Sequence, residues 1–284
     1  MIADVLPILP ILGLVLFGSV MALVGGVLFL YVTPLTKTLT KYSVPFAAGV
    51  LLTAALVGLL PESTHQIGET AFLVTLMAFI GSYVFEKFAT SLHHHDDGHH
   101  HYDLKESSIW MVLVGDTIHN FIDGVAIAAS YLVNPGLGVV TAVSTFLHEV
   151  PHEIGDFGIL LKAGWEKRSI IIVNVVSALF TVLGAGAVLF VFDDSEVIGY
   201  LLAIAAGMFL YLGASDFLPK FHDENTKMFD LSAFIFGTLV ILGVFYAIPH
   251  EHPSHDEDLD HDEQSLEEHG DESDDHTEEI ILQD

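Results

Sequence analysis

Residues 119–157 read HNFIDGVAIAASYLVNPGLGVVTAVSTFLHEVPHEIGDF, and their reading decides the fold. Two apolar stretches flank Asn134-Pro135-Gly136, a turn sequence in which proline presets the backbone and cannot continue a hydrogen-bonded run. His119 and Asp123 stand four residues apart before the turn, and His148 and His152 stand four apart after it. Side chains at that spacing share one helix face. Folding the stretches into an antiparallel hairpin puts His119 level with His152, Asp123 level with His148, and Asp116 level with Asp156. Polar groups therefore gather between two otherwise apolar helices: Asp116, His119, Asn120 and Asp123 on the first, and His148, Glu149, His152, Glu153 and Asp156 on the second.

The surrounding sequence says where that hairpin lies. The chain has 284 residues, is 52% hydrophobic, and still carries a formal net charge of -28. The charge is segregated: residues 249–284 are mostly Asp, Glu and His, while the preceding chain falls into apolar blocks. A block of about 20 residues at about 1.5 Å per residue crosses a hydrocarbon core of about 30 Å. The pattern predicts an all-α polytopic membrane protein with eight transmembrane helices at 6–32, 43–61, 71–90, 109–133, 137–162, 169–192, 197–218 and 230–248. The first block carries Asp4 rather than a basic leader, is long, and lacks a small-residue cleavage pattern, so it reads as a retained helix.

Lys37 and Lys41 fall between spans one and two, and Lys87 and Lys105 around the connection from three to four. Lys162, Lys167 and Arg168 fall between five and six, and Lys220 and Lys227 between seven and eight. Basic residues favour the cytoplasmic side, so these connections face the cytoplasm and the N- and C-termini face outside. The organisation expected is helices one to three over 1–91, a cytoplasmic His-rich loop over 92–108, helices four and five over 109–162, helices six to eight over 163–248, and an acidic external tail over 249–284.

Cysteine is absent, so disulfides and thiolate ligands are excluded. No Gly-rich phosphate loop accompanies a Lys and a Ser or Thr, which removes the motif for ATP-driven pumping. Ionisable groups at membrane depth are costly, and leaving several without partners costs several kcal/mol each, so they point to a metal or an aqueous path. His148-Glu149-Val150-Pro151-His152 also fits HExxH, in which two histidines hold zinc and the glutamate activates water. Three features weigh against a protease. Asp123-Gly124 precedes HExxH instead of following it, Pro151 is expected to disturb the turn and free a carbonyl near Leu147, and the polar groups recur in layers along the membrane normal. Gly124 and Gly155 are expected to loosen those layers, as broken backbone is tolerated where it lines a cavity. Ala47-Ala48-Gly49, Leu52 and Leu60-Pro61 recur as Ala205-Ala206-Gly207, Leu210 and Leu218-Pro219, which reads as an inverted repeat suited to alternating access.

HNFIDGVAIAAS (119–130) and HEVPHEIGDFGILLKAG (148–164) resemble the fourth- and fifth-helix motifs of the ZIP (ZRT/IRT-like) divalent-metal transporters, especially their histidine-rich zinc-transporting subfamily. The similarity extends to LLPES (59–63), NVVSAL (174–179) and LGASDFLP (212–219), but not to the tail. The resemblance implies zinc import into the cytoplasm, a metal path between helices four and five, and a homodimer. It implies a primary site at His119, Asp123, His148 and His152 and a second at Asn120, Glu149, His152 and Asn174, a binuclear arrangement. It also implies Fe2+, Mn2+ or Cd2+ as cargo in some members; imidazole at His148 tilts the choice to Zn2+. The short outward N-terminus departs from relatives with a large external domain, so no such domain is expected.

Outside the hairpin, Asp116, Glu153, Asp156 and Asp216 are pathway candidates, and Glu62 is a helix-end carboxylate. His93, His94, His95, His99, His100 and His101 could form an auxiliary loop site that captures or senses zinc. The tail's His250, His252, His255, His261, His269 and His276 could concentrate cations or simply solvate. The expected partners are divalent ions and the lipid bilayer, with no nucleic acid; the expected location is the plasma membrane. The reading is of a transporter and not an enzyme, against two alternatives: an intramembrane zinc protease and a sensor that passes no ion.

Overall fold

The computed structural model describes residues 7–31, 33–91, 106–191, 194–218 and 227–248. The histidine-rich stretch 93–101, Lys105, Lys220 and the tail from His250 onward lie outside the described residues. Helix is the only regular structure among those described. In chain order the helices are α1 (Ile8–Val15), α2 (Leu23–Tyr31), α3 (Thr33–Thr53), α4 (Leu60–Ile67), α5 (Thr70–Ser91), α6 (Glu106–Val133), α7 (Pro135–Lys162), α8 (Lys167–Val191), α9 (Ser195–Tyr211) and α10 (Lys227–Ala247). Wider π-turns lie between α1 and α2 (Leu16–Val20) and between α3 and α4 (Ala54–Leu59), and a third extends α9 (Leu212–Phe217).

Among the described residues, seven helical segments are long and apolar enough to cross a membrane: Ile8–Tyr31, Tyr42–Ile67, Thr70–Phe88, Val112–Val133, Lys167–Val191, Ser195–Ser215 and Met228–Ala247. The remaining long helix, α7, has 28 residues, about 42 Å at 1.5 Å per residue. It meets the length requirement but carries the ionisable groups that lower its hydropathy. The second segment runs past the expected end at residue 61. Pro61 follows a π-turn and sits in the first turn of α4, where a missing N–H is harmless. The helix stops instead at Gly68, whose φ of 63° lies in the left-handed region that favours glycine.

Local chemistry makes the central hairpin. Asn134 leaves helical geometry, and its side-chain Oδ1 accepts from Gly136 N at 2.8 Å and Leu137 N at 3.2 Å. Pro135 occupies the first turn of α7, so the turn read from the sequence is an N-cap followed by a preset proline. Helix α7 then continues without interruption through Pro151 to Lys162. The expected break at Pro151 is corrected: one lost backbone bond is absorbed within a 28-residue helix packed on several sides. HExxH therefore lies on one continuous helix, which weakens the proline argument against a protease.

Helix α6 packs on α7 and α8, while α1, its π-turn and α2 pack along α7. Helices α3 and α10 form a second pair, as do α5 and α9; α3 touches α7 and α9 touches α6. An apolar cluster of Leu51, Ala55, Ala126, Ile127, Ala206 and Phe209 fills the crossing of α3, α6 and α9. Small residues set the closest approaches, as expected where lipid is as apolar as the core. A Cβ on Gly124 would overlap the Thr181 carbonyl of α8, and one on Gly184 would overlap the Phe121 carbonyl of α6. Gly124 thus tightens the hairpin against α8 rather than loosening it; Gly155 is exposed and meets nothing nearby. Each copy of the Ala-Ala-Gly motif is followed by a π-turn at the same register, and each glycine abuts a neighbour's backbone: Gly49 against Phe234 of α10, and Gly207 against Thr75 of α5.

Gly184→Ala is expected to destabilise the protein by about 1–3 kcal/mol, because its methyl group must push α6 and α8 apart. Gly186→Ala, on the same helix with open space around it, is expected to be neutral or stabilising, since alanine favours helix over glycine. Thermal unfolding of the purified variants in detergent checks the pair, and equal melting temperatures would refute this account of the α6–α8 contact.

Candidate metal centre

Helices α6 and α7 bring two overlapping groups of potential ligands together. His119, Asp123, His148 and Glu149 each present one ligand atom within 4.8 Å of the others, and Asp116, Glu149 and His152 do the same. In the first group His119 Nε2 lies 3.2 Å from His148 Nε2 and 3.0 Å from Glu149 Oε1. Asp123 Oδ2 lies 3.3 Å from His148 Nε2 and 3.8 Å from His119 Nε2. Ligands about 2.0–2.1 Å from a tetrahedral zinc ion are about 3.3 Å apart. The observed edges bracket that value, so the four atoms fit an ion without large movement.

The orientation of His148 is fixed from behind. Its Nδ1 lies 2.8 Å from the Ser144 carbonyl one turn earlier on α7. A carbonyl only accepts, so Nδ1 carries the proton and Nε2 turns its lone pair towards His119, Asp123 and Glu149. Phe209 of α9 meets the His148 ring edge-on at 5.3 Å and closes that side with hydrocarbon. Asp123, His148 and Glu149 are fully buried.

The second group adjoins the first. His152 Nδ1 lies 3.5 Å from Asp116 Oδ1 and 3.9 Å from Asp156 Oδ2, and its ring centroid is 5.0 Å from that of His119. Glu149 belongs to both groups. Both oxygens of Asp123, Glu149 and Glu153, together with Asp116 Oδ2, Asp156 Oδ2, His152 Nδ1 and Asn174 Oδ1, are buried without an aligned hydrogen-bond partner. Each unsatisfied buried group costs about 1–3 kcal/mol, and more when charged. A divalent cation is the economical compensation for so many converging lone pairs.

Six of the residues singled out in the sequence come together: Asp116, His119, Asp123, His148, Glu149 and His152. His152 stands with Asp116 and Glu149 instead of joining His119, Asp123 and His148, so the two histidines of HExxH fall into different groups. Glu149 is shared, and Asp116 moves from the pathway into a ligand group. Asn120 is fully buried and its amide is taken up by hydrogen bonds: Oδ1 accepts from Ser19 Oγ at 3.1 Å and Thr181 Oγ1 at 3.0 Å, and Nδ2 donates to Asp116 Oδ1 at 3.1 Å. Asn174 on α8 is fully buried; its Nδ2 donates to Ile170 O at 2.8 Å. Glu153 and Asp156 are buried on the α7 turn after His152. Asp216 lies in the π-turn Leu212–Phe217, but its side chain is outside the described residues, as is the loop with His93, His94, His95, His99, His100 and His101. Glu62 is half-buried and accepts from Gln66 Nε2 at 3.2 Å. Ser19, Ser144 and Thr181 were not legible as site residues: each is a common small polar residue whose significance depends on a partner or ligand brought close by folding.

Known proteins match this part of the sequence. Residues 105–244 match the family described as ZIP Zinc transporter. The chain is 37% identical over 133 residues to zinc transporter ZIP6 of Pongo abelii, covering 45% of this chain and 18% of that protein. It is 42% identical over 124 residues to zinc transporter ZIP10 of Mus musculus, covering 42% and 15%. It is 33% identical over 139 residues to zinc transporter foi of Drosophila melanogaster, covering 49% and 20%. The matched stretches thus span about a fifth or less of these relatives' lengths. The α6–α7 hairpin and its candidate ligand groups lie inside the residues that match the ZIP Zinc transporter family, and it is over those residues, 105–244, that the chain is similar to it.

Proposed function

We propose that this chain carries a divalent metal cation, foremost Zn2+, across a membrane and into the cytoplasm. The observation that carries the reading is Glu149: one fully buried carboxylate stands in both ligand groups, between helices of membrane-spanning length. An ion held by His119, Asp123, His148 and Glu149 can be passed to Asp116 and His152 while Glu149 stays bound, so transfer needs no fully naked intermediate. Imidazoles with carboxylates favour zinc over the harder Mn2+, while leaving Fe2+ and Cd2+ as secondary cargo. The relatives' names as zinc transporters support that choice.

In this reading α7 is also a span, the fifth of eight, and the path runs between the fourth and fifth. The connections bearing lysine and arginine face the cytoplasm, so both ends of this chain lie outside, and the Asp116–Asp156 layer lies on the cytoplasmic side of the His119–Asp123 layer. The two Ala-Ala-Gly segments with their π-turns then run in opposite directions, an inverted repeat. The 92–108 segment is a cytoplasmic histidine loop, and 249–284 an external acidic tail. The protein works as a homodimer in the plasma membrane and belongs with the histidine-rich members of its family. A protease gains support from the unbroken α7, but HExxH chemistry needs both histidines on one ion, and here they attend different groups.

Absence of cysteine makes topology directly testable. In intact cells Glu69→Cys is expected to react with an impermeant thiol reagent, whereas Glu166→Cys reacts only after permeabilisation; the reverse pattern would invert the proposed orientation. For function, protein in liposomes enclosing a zinc-sensitive dye is expected to admit zinc saturably, with Glu149→Gln at least about tenfold slower and a melting temperature close to that of the parent. Undiminished uptake in that variant would refute the shared-ligand pathway. Zinc binding without uptake by the parent would favour a sensor, and a cleaved membrane substrate a protease.

A further inference from the structure

The amide of Asn120 is saturated from the side away from the ions. Its Oδ1 accepts from Thr181 Oγ1 at 3.0 Å and from Ser19 Oγ at 3.1 Å, whose single proton is shared with the Ala178 carbonyl. Its Nδ2 donates to Asp116, at 3.1 Å to Oδ1 and 3.2 Å to the backbone oxygen. The reverse orientation of the amide would set its oxygen against the Asp116 carboxylate, so the network allows one assignment. Held this way, Asn120 fixes Asp116 through Oδ1, the oxygen that faces His152 Nδ1 at 3.5 Å, while Oδ2 is buried without an aligned partner.

The two hydroxyls that fix the amide belong to other helices. Thr181 is fully buried on α8, beside the carbonyl contact that Gly124 permits. Ser19 is buried in the π-turn Leu16–Val20, and its Oγ also approaches the Ala178 carbonyl at 3.2 Å. The widened turn re-aims one side chain within an otherwise helical run, a use of π-turns that recurs at functional sites. Three segments of the chain therefore converge on one amide, and that amide touches a ligand of only the second group.

Resting on the two-group reading above, we propose that Ser19 and Thr181 are positioning residues that act through Asn120 on Asp116 and so set the affinity of the Asp116–Glu149–His152 group without acting on the His119–Asp123–His148–Glu149 group. Partners that orient a metal ligand typically contribute 10–100-fold to affinity.

The test is calorimetric titration of the full chain in detergent with zinc alone. His152→Ala and His119→Ala assign which of two binding classes belongs to which group. Thr181→Val, which keeps the shape and removes the hydroxyl, is expected to weaken the class lost in His152→Ala by about tenfold and to leave the class lost in His119→Ala within about twofold; Thr181→Ser restores the parent value, and Ser19→Ala behaves like Thr181→Val. The untouched class serves as the control for folding. Two parental classes with neither moved by Thr181→Val, or both weakened alike, would overturn the positioning role alone. A parent that binds no zinc would overturn the functional reading beneath it.

Discussion

The structure depends on placing unsatisfied carboxylate and imidazole lone pairs inside a membrane-spanning bundle. Asp123, His148 and Glu149 are fully buried, and the oxygens of Asp123 and Glu149 have no aligned hydrogen-bond donor. In a medium without water such groups are tolerated only where something compensates them. A cation does so with one charge centre, and the edges of 3.0–3.8 Å around His119 are the size of its coordination shell. Because Glu149 faces a second group as well, an ion held as proposed would have a neighbouring place to go.

The remaining helices make that arrangement rigid enough to matter. Lipid supplies no hydrophobic drive between helices, so association relies on close packing and polar clasps. Gly124 and Gly184 let α6 and α8 meet backbone to backbone, which carries Thr181 to Asn120. The π-turn of the first span delivers Ser19 to the same amide. On the other side α9 supplies Phe209 as a hydrocarbon wall against His148. Ligands on two helices are thus oriented by partners on three more segments.

Much of this was legible because its periodicities are strong. Four-residue spacing in His119/Asp123 and His148/His152 and the Asn134-Pro135-Gly136 turn fixed the hairpin, and long apolar blocks marked the helices to within a few residues. Pro151 misled because packing overrules local chemistry there: α7 stays helical through it. Gly124 reads as flexibility in one dimension and proves to be a contact in three. Two adjoining groups were expected, but which candidate residue stands in which was not legible, because spacing gives a face but not which nitrogen or oxygen points where. The Ser19–Asn120 bond spans 101 residues and leaves no local trace.

X-ray absorption at the zinc edge of the zinc-loaded protein tests the shared carboxylate most directly. Two ions joined by Glu149 predict a nitrogen and oxygen shell at about 2.0–2.1 Å with a metal–metal vector at about 3.5–4 Å, the vector disappearing in Glu149→Gln. A single ion bound by both His148 and His152, with no metal–metal vector in the parent, would contradict it.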